Sequence, residues 1–207
     1  MIKRACVCLF FLLLWQNVFA VYTNNFDSMA SMNGWDADLH PWDSPDGWSV
    51  TNNRLIISRT YTNKNSGYYY VAQTYQNFEL TVTFQLYTKS FVVIPFRYHN
   101  NNKWYALYLY PGRRPDSMRF VKWTTSGTEL ALANPSFYIM ARKDYCVRLK
   151  VLGNNFYAKV WLKSQSEPAN WHIQAQDNSI TTPGYIGLSM QRSATNLHGD
   201  FSNLTIL

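Results

Sequence analysis

Between residues 78 and 87, Phe78, Leu80, Val82, Phe84 and Leu86 alternate with Glu79, Thr81, Thr83, Gln85 and Tyr87. A period of two with one aliphatic side predicts a strand that lays one face on a core and leaves the other wet. The same pattern recurs in 144–152 and 155–163, where Gly153-Asn154 predicts a tight hairpin turn and Phe156, Ala158, Val160 and Leu162 predict the inward side. In 91–99, Val92, Ile94 and Phe96 oppose Val93, Pro95, Arg97 and His99. In 104–110, Tyr105, Leu107 and Leu109 oppose Trp104, Ala106, Tyr108 and Tyr110, with an Asn-rich turn between the two runs. Asn tolerates left-handed backbone geometry, so 91–110 reads as a hairpin. Shorter strands are expected at 48–51, 54–58, 68–72, 118–123, 129–133, 185–190 and 200–207. Residues 21–49 and 164–183 are expected to be loops.

No helical apolar period of useful length, internal repeat or linker interrupts this series. Many short strands with frequent turn signals predict an all-β chain, a two-sheet antiparallel jelly-roll β-sandwich. Residues 21–207 are expected to form one domain, a normal size for a single sandwich.

The central hairpin also predicts where a ligand would lie. With strict alternation, Arg97, His99, Trp104, Tyr108 and Tyr110 share one exposed face, which Lys122 or Trp123 of the next strand would extend and Arg113 and Arg114 would rim. Aromatic rings cover the apolar C–H faces of sugars, and Arg, His and amide groups bond their hydroxyls or, for Arg, a uronate carboxylate in bidentate fashion. Phe96-Arg97-Tyr98, the polar turn, Trp104-Tyr105-Ala106-Leu107 and Pro111-Gly112 resemble the central hairpin of the concanavalin A-like lectin and glucanase jelly rolls, including laminin-G-like domains. The Gly184-Tyr-Ile-Gly-Leu run and the final Asp200-Phe-Ser-Asn-Leu strand resemble the end of the same sandwich. The resemblance implies that fold and a carbohydrate or extracellular-protein partner.

The ends and charges of the chain add a setting. Lys3 and Arg4, an apolar run from Ala5 to Trp15 and Ala20 predict a secretory signal peptide over residues 1–20. The run is short for a membrane span, which takes about 20 apolar residues, so a secreted, extracellular protein is expected. Two of the three cysteines, Cys6 and Cys8, fall in that leader, so Cys146 would stand alone and the domain would rest on core packing. The formal net charge is +7, of which Lys3 and Arg4 contribute two. A modest positive charge suits acidic glycans such as uronate or sulfated polymers. Without a dense basic cluster, and with a secretory leader, nucleic acid is not an expected partner.

Candidate chemistry narrows the function further. Glycoside hydrolysis takes two carboxyl groups at set separations, and the sandwich glucanases carry them as Glu-x-Asp-x-x-Glu. Glu79, Glu129 and Glu167 are the only glutamates, and none has an acidic residue two or four positions away. A polysaccharide lyase would need a cation beside a Tyr or His, which Arg97, His99, Tyr108 and Tyr110 could supply, although the Gln-x-His of jelly-roll lyases is absent. Gly-x-Ser-x-Gly and clustered zinc ligands are absent too. Asp36, Asp38 and Asp200 are the candidate ligands of a structural calcium ion, a hard cation that takes several oxygens. Asn203-Leu204-Thr205 is an N-glycosylation sequon. The expected function is carbohydrate binding without cleavage. Arg97→Ala or Tyr108→Ala is expected to abolish binding with thermal stability nearly unchanged.

Overall fold

A computed structural model describes residues 21–37, 46–59, 66–87, 90–99, 103–111, 118–124, 130–133, 138–191 and 197–207. The expected leader over residues 1–20, Asp38, Arg113, Arg114 and Glu129 lie outside these residues. The described residues form an all-β jelly-roll sandwich of two antiparallel sheets.

One sheet has the order β13 (Ile173–Gln176), β12 (Asn155–Leu162), β11 (Asp144–Leu152), β6 (Phe78–Leu86), β15 (Leu197–Ile206), β4 (Arg54–Arg59) and β3 (Trp48–Thr51), and β1 (Tyr22–Asn24) also pairs β15. The other has the order β10 (Leu130–Ala133), β9 (Met118–Trp123), β8 (Lys103–Leu109), β7 (Phe91–His99), β14 (Gly184–Gln191), β5 (Ser66–Tyr75) and β2 (Trp35–Asp36). The two-residue periods expected for β6, β8, β11 and β12 are realised, and that of β7 holds as far as Phe96. Phe78, Leu80, Val82, Phe84 and Leu86 from the first sheet meet Val92, Ile94, Phe96, Tyr105, Leu107 and Leu109 from the second in one buried core. Phe96 anchors it, with Phe156 at 5.2 Å edge-to-face and Tyr105 at 5.6 Å stacked.

Two expected loops contain structure. Residues 21–49 include β1, a 3₁₀ turn at Met29–Met32 and β2, and the Trp35 indole donates to the Tyr22 hydroxyl at 2.8 Å. Residues 164–183 include β13, whose Ile173 and Ala175 alternate with Gln174 and Gln176. That alternation is too short to stand out beside the surrounding polar residues. Among the described residues, no helix is long and apolar enough to cross a membrane.

The outward face of the eight-stranded sheet is polar and ion-paired. Arg148 reaches Glu79 at 3.5 Å and Glu167 at 3.0 Å, and Lys150 reaches Glu79 at 3.3 Å. Cys146 lies on this face, its Sγ 3.7 Å from Thr83 Oγ1. The outward face of the seven-stranded sheet is different in kind.

Candidate functional site

A second apolar layer covers the outward face of the seven-stranded sheet. Tyr69, Val93, Tyr98, Trp104, Ala106, Tyr108, Tyr110 and Val121 are buried in it, and Phe91, Trp123 and Tyr185 pack against it half-buried. The rings form two rows. One runs from Tyr69 to Tyr98 (4.5 Å between centroids), then to Trp104 (6.1 Å) and on to Trp123, which stacks on Trp104 at 5.5 Å and 17°. The other joins Phe91 to Tyr110 (4.5 Å) and Tyr110 to Tyr108 (5.7 Å). Tyr69 and Tyr98 meet across β14 because Gly187 lies between them. A Cβ there would come within 2.8 Å of the Tyr69 ring.

Hydrogen bonds fix the rings in orientation. The Trp123 indole donates to the Tyr108 hydroxyl at 3.1 Å. Arg119 lies over the Tyr110 ring at 4.9 Å and the Tyr108 ring at 5.7 Å, and donates to the Tyr110 hydroxyl at 2.6 Å. A guanidinium within about 6 Å of tyrosine ring faces gains cation–π energy.

The sequence placed Trp104, Tyr108 and Tyr110 on one face, and there they are, although buried rather than exposed. The other three expected members are elsewhere. Strict alternation fails in β7 after Phe96, where the register slips between Phe96↔Tyr105 and His99↔Lys103 and Arg97 takes a left-handed φ of 47°. This bulge turns Tyr98 outward and Arg97 inward. Gly184 permits it, because a Cβ there would lie 2.5 Å from the Arg97 carbonyl carbon.

Arg97 is 1 % exposed and lies between the sheets above Phe156. It donates to the Ile180 carbonyl at 2.7 Å, to the Gln76 carbonyl at 2.9 Å and to the Gly153 carbonyl. It is therefore a structural clamp on three chain segments, and the expectation that Arg97→Ala leaves stability unchanged is corrected. His99 follows the bulge and sits 3.1 Å from Thr182 Oγ1, beside the 177–183 segment.

Lys122 is opposite Tyr105 and on the inward side of β9, with Met118 and Phe120. It donates to Asp177 at 2.7 Å and to Ser179 at 3.0 Å. Asp177 also accepts from Tyr105. Burial pushes the Asp177 carboxyl up, but the bonds from Lys122, Tyr105 and Ser179 outweigh it and hold the group at about 2. Of the two expected alternatives, Trp123 and not Lys122 extends the aromatic face, and Arg119 joins it. Their signal was present: with Phe120 inward, Arg119, Val121 and Trp123 must be outward.

The calcium set does not assemble from the described residues. Asp36 is on β2 of the seven-stranded sheet, whereas Asp200 is on β15 of the other. Asp200 is buried and engaged on both oxygens, by Arg54 at 2.5 Å and by the Tyr87 hydroxyl at 2.9 Å. Arg54 also grips Asp144 at 3.1 Å. Arg54, unremarked in the sequence, supplies the positive charge assigned there to a cation. Asp38 lies outside the described residues, and among them no three His, Cys, Asp or Glu side chains cluster as a metal site. Asn203 is exposed at a bulge in β15, with a φ of 51°.

No protein-family model matches the chain, and no curated protein resembles it in sequence. Solved structures do resemble it in fold. A carbohydrate-binding module, CBM66 from Bacillus subtilis, matches with a TM-score of 0.61 and 15% identity, over 83% of this chain and 93% of that one. A β-1,3-1,4-glucanase (lichenase) from a mouse hindgut metagenome matches at 0.67 and 12%, over 91% and 99%. The exoplasmic/lumenal domain of VIP36, in its Ca²⁺/Man3GlcNAc-bound form, matches at 0.59 and 14%, over 87% and 86%. The chain has the concanavalin A-like jelly-roll fold.

Proposed function

We propose that this jelly roll is a secreted carbohydrate-binding domain whose ligand meets the aromatic face of the seven-stranded sheet at its Trp123 and Arg119 margin. The observation that carries this reading is the stacked Trp104–Trp123 pair, with the Trp123 indole tied to the Tyr108 hydroxyl. A half-buried indole backed by a buried one is a pre-oriented platform for the C–H face of a sugar ring, so little side-chain entropy is lost on binding. The carbohydrate-binding module and the lectin domain among the structural neighbours support the same reading. A preference for acidic glycans is supported by the positive charge left once Lys3 and Arg4 go with the leader, 7 − 2 = +5, and by Arg119 at the margin.

Among the described residues, a non-catalytic role of the aromatic face is supported by where the carboxylates lie: Asp144 and Asp200 are both engaged by Arg54 on the other sheet. Glu79 and Glu167 belong to the ion-paired network around Arg148, on the other sheet. Asp36 on β2 is four strands from β8, about 19 Å away. Glycosidase pairs sit about 5–9.5 Å apart. The lyase set is divided as well, since Arg97 lies between the sheets and Tyr108 lies on the outward face.

The test is Trp123→Ala. It removes a half-buried ring at the end of β9, so the protein should stay folded by circular dichroism while polysaccharide affinity falls about tenfold. Unchanged affinity in a folded variant would exclude this face.

A further inference from the structure

A second groove opens on the far side of the molecule, where β12 runs past its partner. β13 pairs β12 only from Asn155 to Ala158, so Lys159 to Leu162 form a sheet edge. The chain from 163 to 172 folds back over that edge. The His172 amide donates to the Ala158 carbonyl at 2.9 Å, and the Val160 amide donates to His172 Nδ1 at 3.2 Å. Lys159 donates to the Pro168 carbonyl at 2.8 Å and lies 4.8 Å from the Trp171 ring. The opposite wall is the 138–140 segment. Ile139 is buried and bridges to Pro111, and the Met140 amide donates to the Tyr145 hydroxyl at 3.0 Å. Both walls are thus pinned by backbone hydrogen bonds.

Pinning Ile139 inward forces its neighbours outward. Tyr138 is 49% exposed and Met140 38% exposed, two of the few large apolar side chains among the described residues that face water. They line the groove with Trp161, Gln165, Ser166 and His172, around a space of about 360 Å³. That is the lower end of the range for small-molecule sites, about 300–1,000 Å³. Among the described residues, no charged side chain lines it. With Nδ1 accepting from Val160, a neutral His172 carries its proton on Nε2 and is a donor. Burial, and then Lys159, hold its pKa below the usual imidazole value, so the neutral form prevails.

We infer that this groove is a binding site for a neutral sugar ring, separate from the aromatic sheet face. The rings of Tyr138 and Trp161 suit the apolar faces of a pyranose or furanose, and Gln165 and Ser166 offer an amide and a hydroxyl to its hydroxyls. The nearby Lys159 is held by Glu167 at 2.6 Å and by the Pro168 carbonyl, so a uronate or sulfated residue would lose hydration there without gaining a free cation.

The test uses the protein lacking only its leader, with D-glucose, D-galactose, D-mannose, D-fructose and D-xylose as probes at millimolar concentration. The Trp161 indole N–H signal is identified in ¹H–¹⁵N spectra as the one that disappears in Trp161→Phe. The expected result is a saturable shift of that signal with at least one of these sugars, insensitive to about 0.5 M sodium chloride. Tyr138→Ala, an exposed position that does not threaten folding, should weaken it about tenfold. Trp123→Ala should leave it unchanged, so failure of the groove and failure of the sheet-face site are read separately. No shift with any probe, shifts confined to the Trp104 and Trp123 signals, or a Trp161 shift unaffected by Tyr138→Ala would each overturn the inference.

Discussion

Arg97 shows how a single backbone angle changes the role of a side chain. Alternation along β7 puts it beside Trp104, but a left-handed φ of 47° turns it inward onto three carbonyls. Nothing in Phe96-Arg97-Tyr98 announces that bulge, since the residue expected at a positive φ is Gly or Asn. The nearest signal is distant in sequence: Gly184, which keeps the neighbouring backbone out of the way. Arg97→Ala would leave the Ile180, Gln76 and Gly153 carbonyls without a donor, a loss of about 3 kcal/mol. Thermal denaturation should show a midpoint lowered by roughly 6–12 °C. Arg97→Lys should recover only part, because one ammonium cannot reproduce the fork that reaches all three oxygens. A wild-type midpoint in Arg97→Ala would refute the clamp.

Among elements, the strands were legible wherever the period of two ran for seven residues or more, as in β6, β7, β8, β11 and β12. Their inward sides agree with the core residue by residue, except after Phe96 in β7, where Arg97 turns inward and Tyr98 outward. The face of β8 was equally legible, and Trp104, Tyr108 and Tyr110 do lie together. What alternation cannot reveal is cover, so these three rings were expected in water and are buried. Short edge strands such as β2 and β13 were missed because two to four residues carry too little pattern.

The 177–183 segment after β13 is stitched to the seven-stranded sheet by Tyr105, Lys122 and Asp177. Asp177 sits at about 2 in the folded chain, against about 3.9 for an unfolded Asp. A carboxylate with a depressed folded pKa stabilises above its unfolded value and loses that contribution as pH falls through its folded value. The stability difference between wild type and Asp177→Asn, read from urea midpoints, should therefore be constant above about pH 4 and shrink between about pH 4 and 2. A difference that stays constant across that window would contradict the ion pair's role.

At the scale of the whole molecule, the two sheets divide the work. The outward face of the eight-stranded sheet is charged and self-compensated, and that of the seven-stranded sheet is aromatic. Asn203 belongs to the first sheet, exposed at a bulge where the ladder with β6 is interrupted. With the leader over residues 1–20 proposed to send the chain through a secretory route, expression in a eukaryotic host should give a glycosidase-sensitive mass increase that Asn203→Gln abolishes. The same mass before and after glycosidase treatment would count against glycosylation there, and a glycan would sit on the sheet opposite the aromatic face in any case.

The carbohydrate-binding reading itself is tested most directly by affinity electrophoresis of the leaderless chain through gels containing neutral, uronate or sulfated polysaccharides. The prediction is retardation by one class that persists in moderate salt and is weakened about tenfold by Trp123→Ala. Retardation by acidic polymers alone, abolished by salt and indifferent to Trp123→Ala, would mean that the positive charge acts by itself and that the aromatic face is not a sugar site.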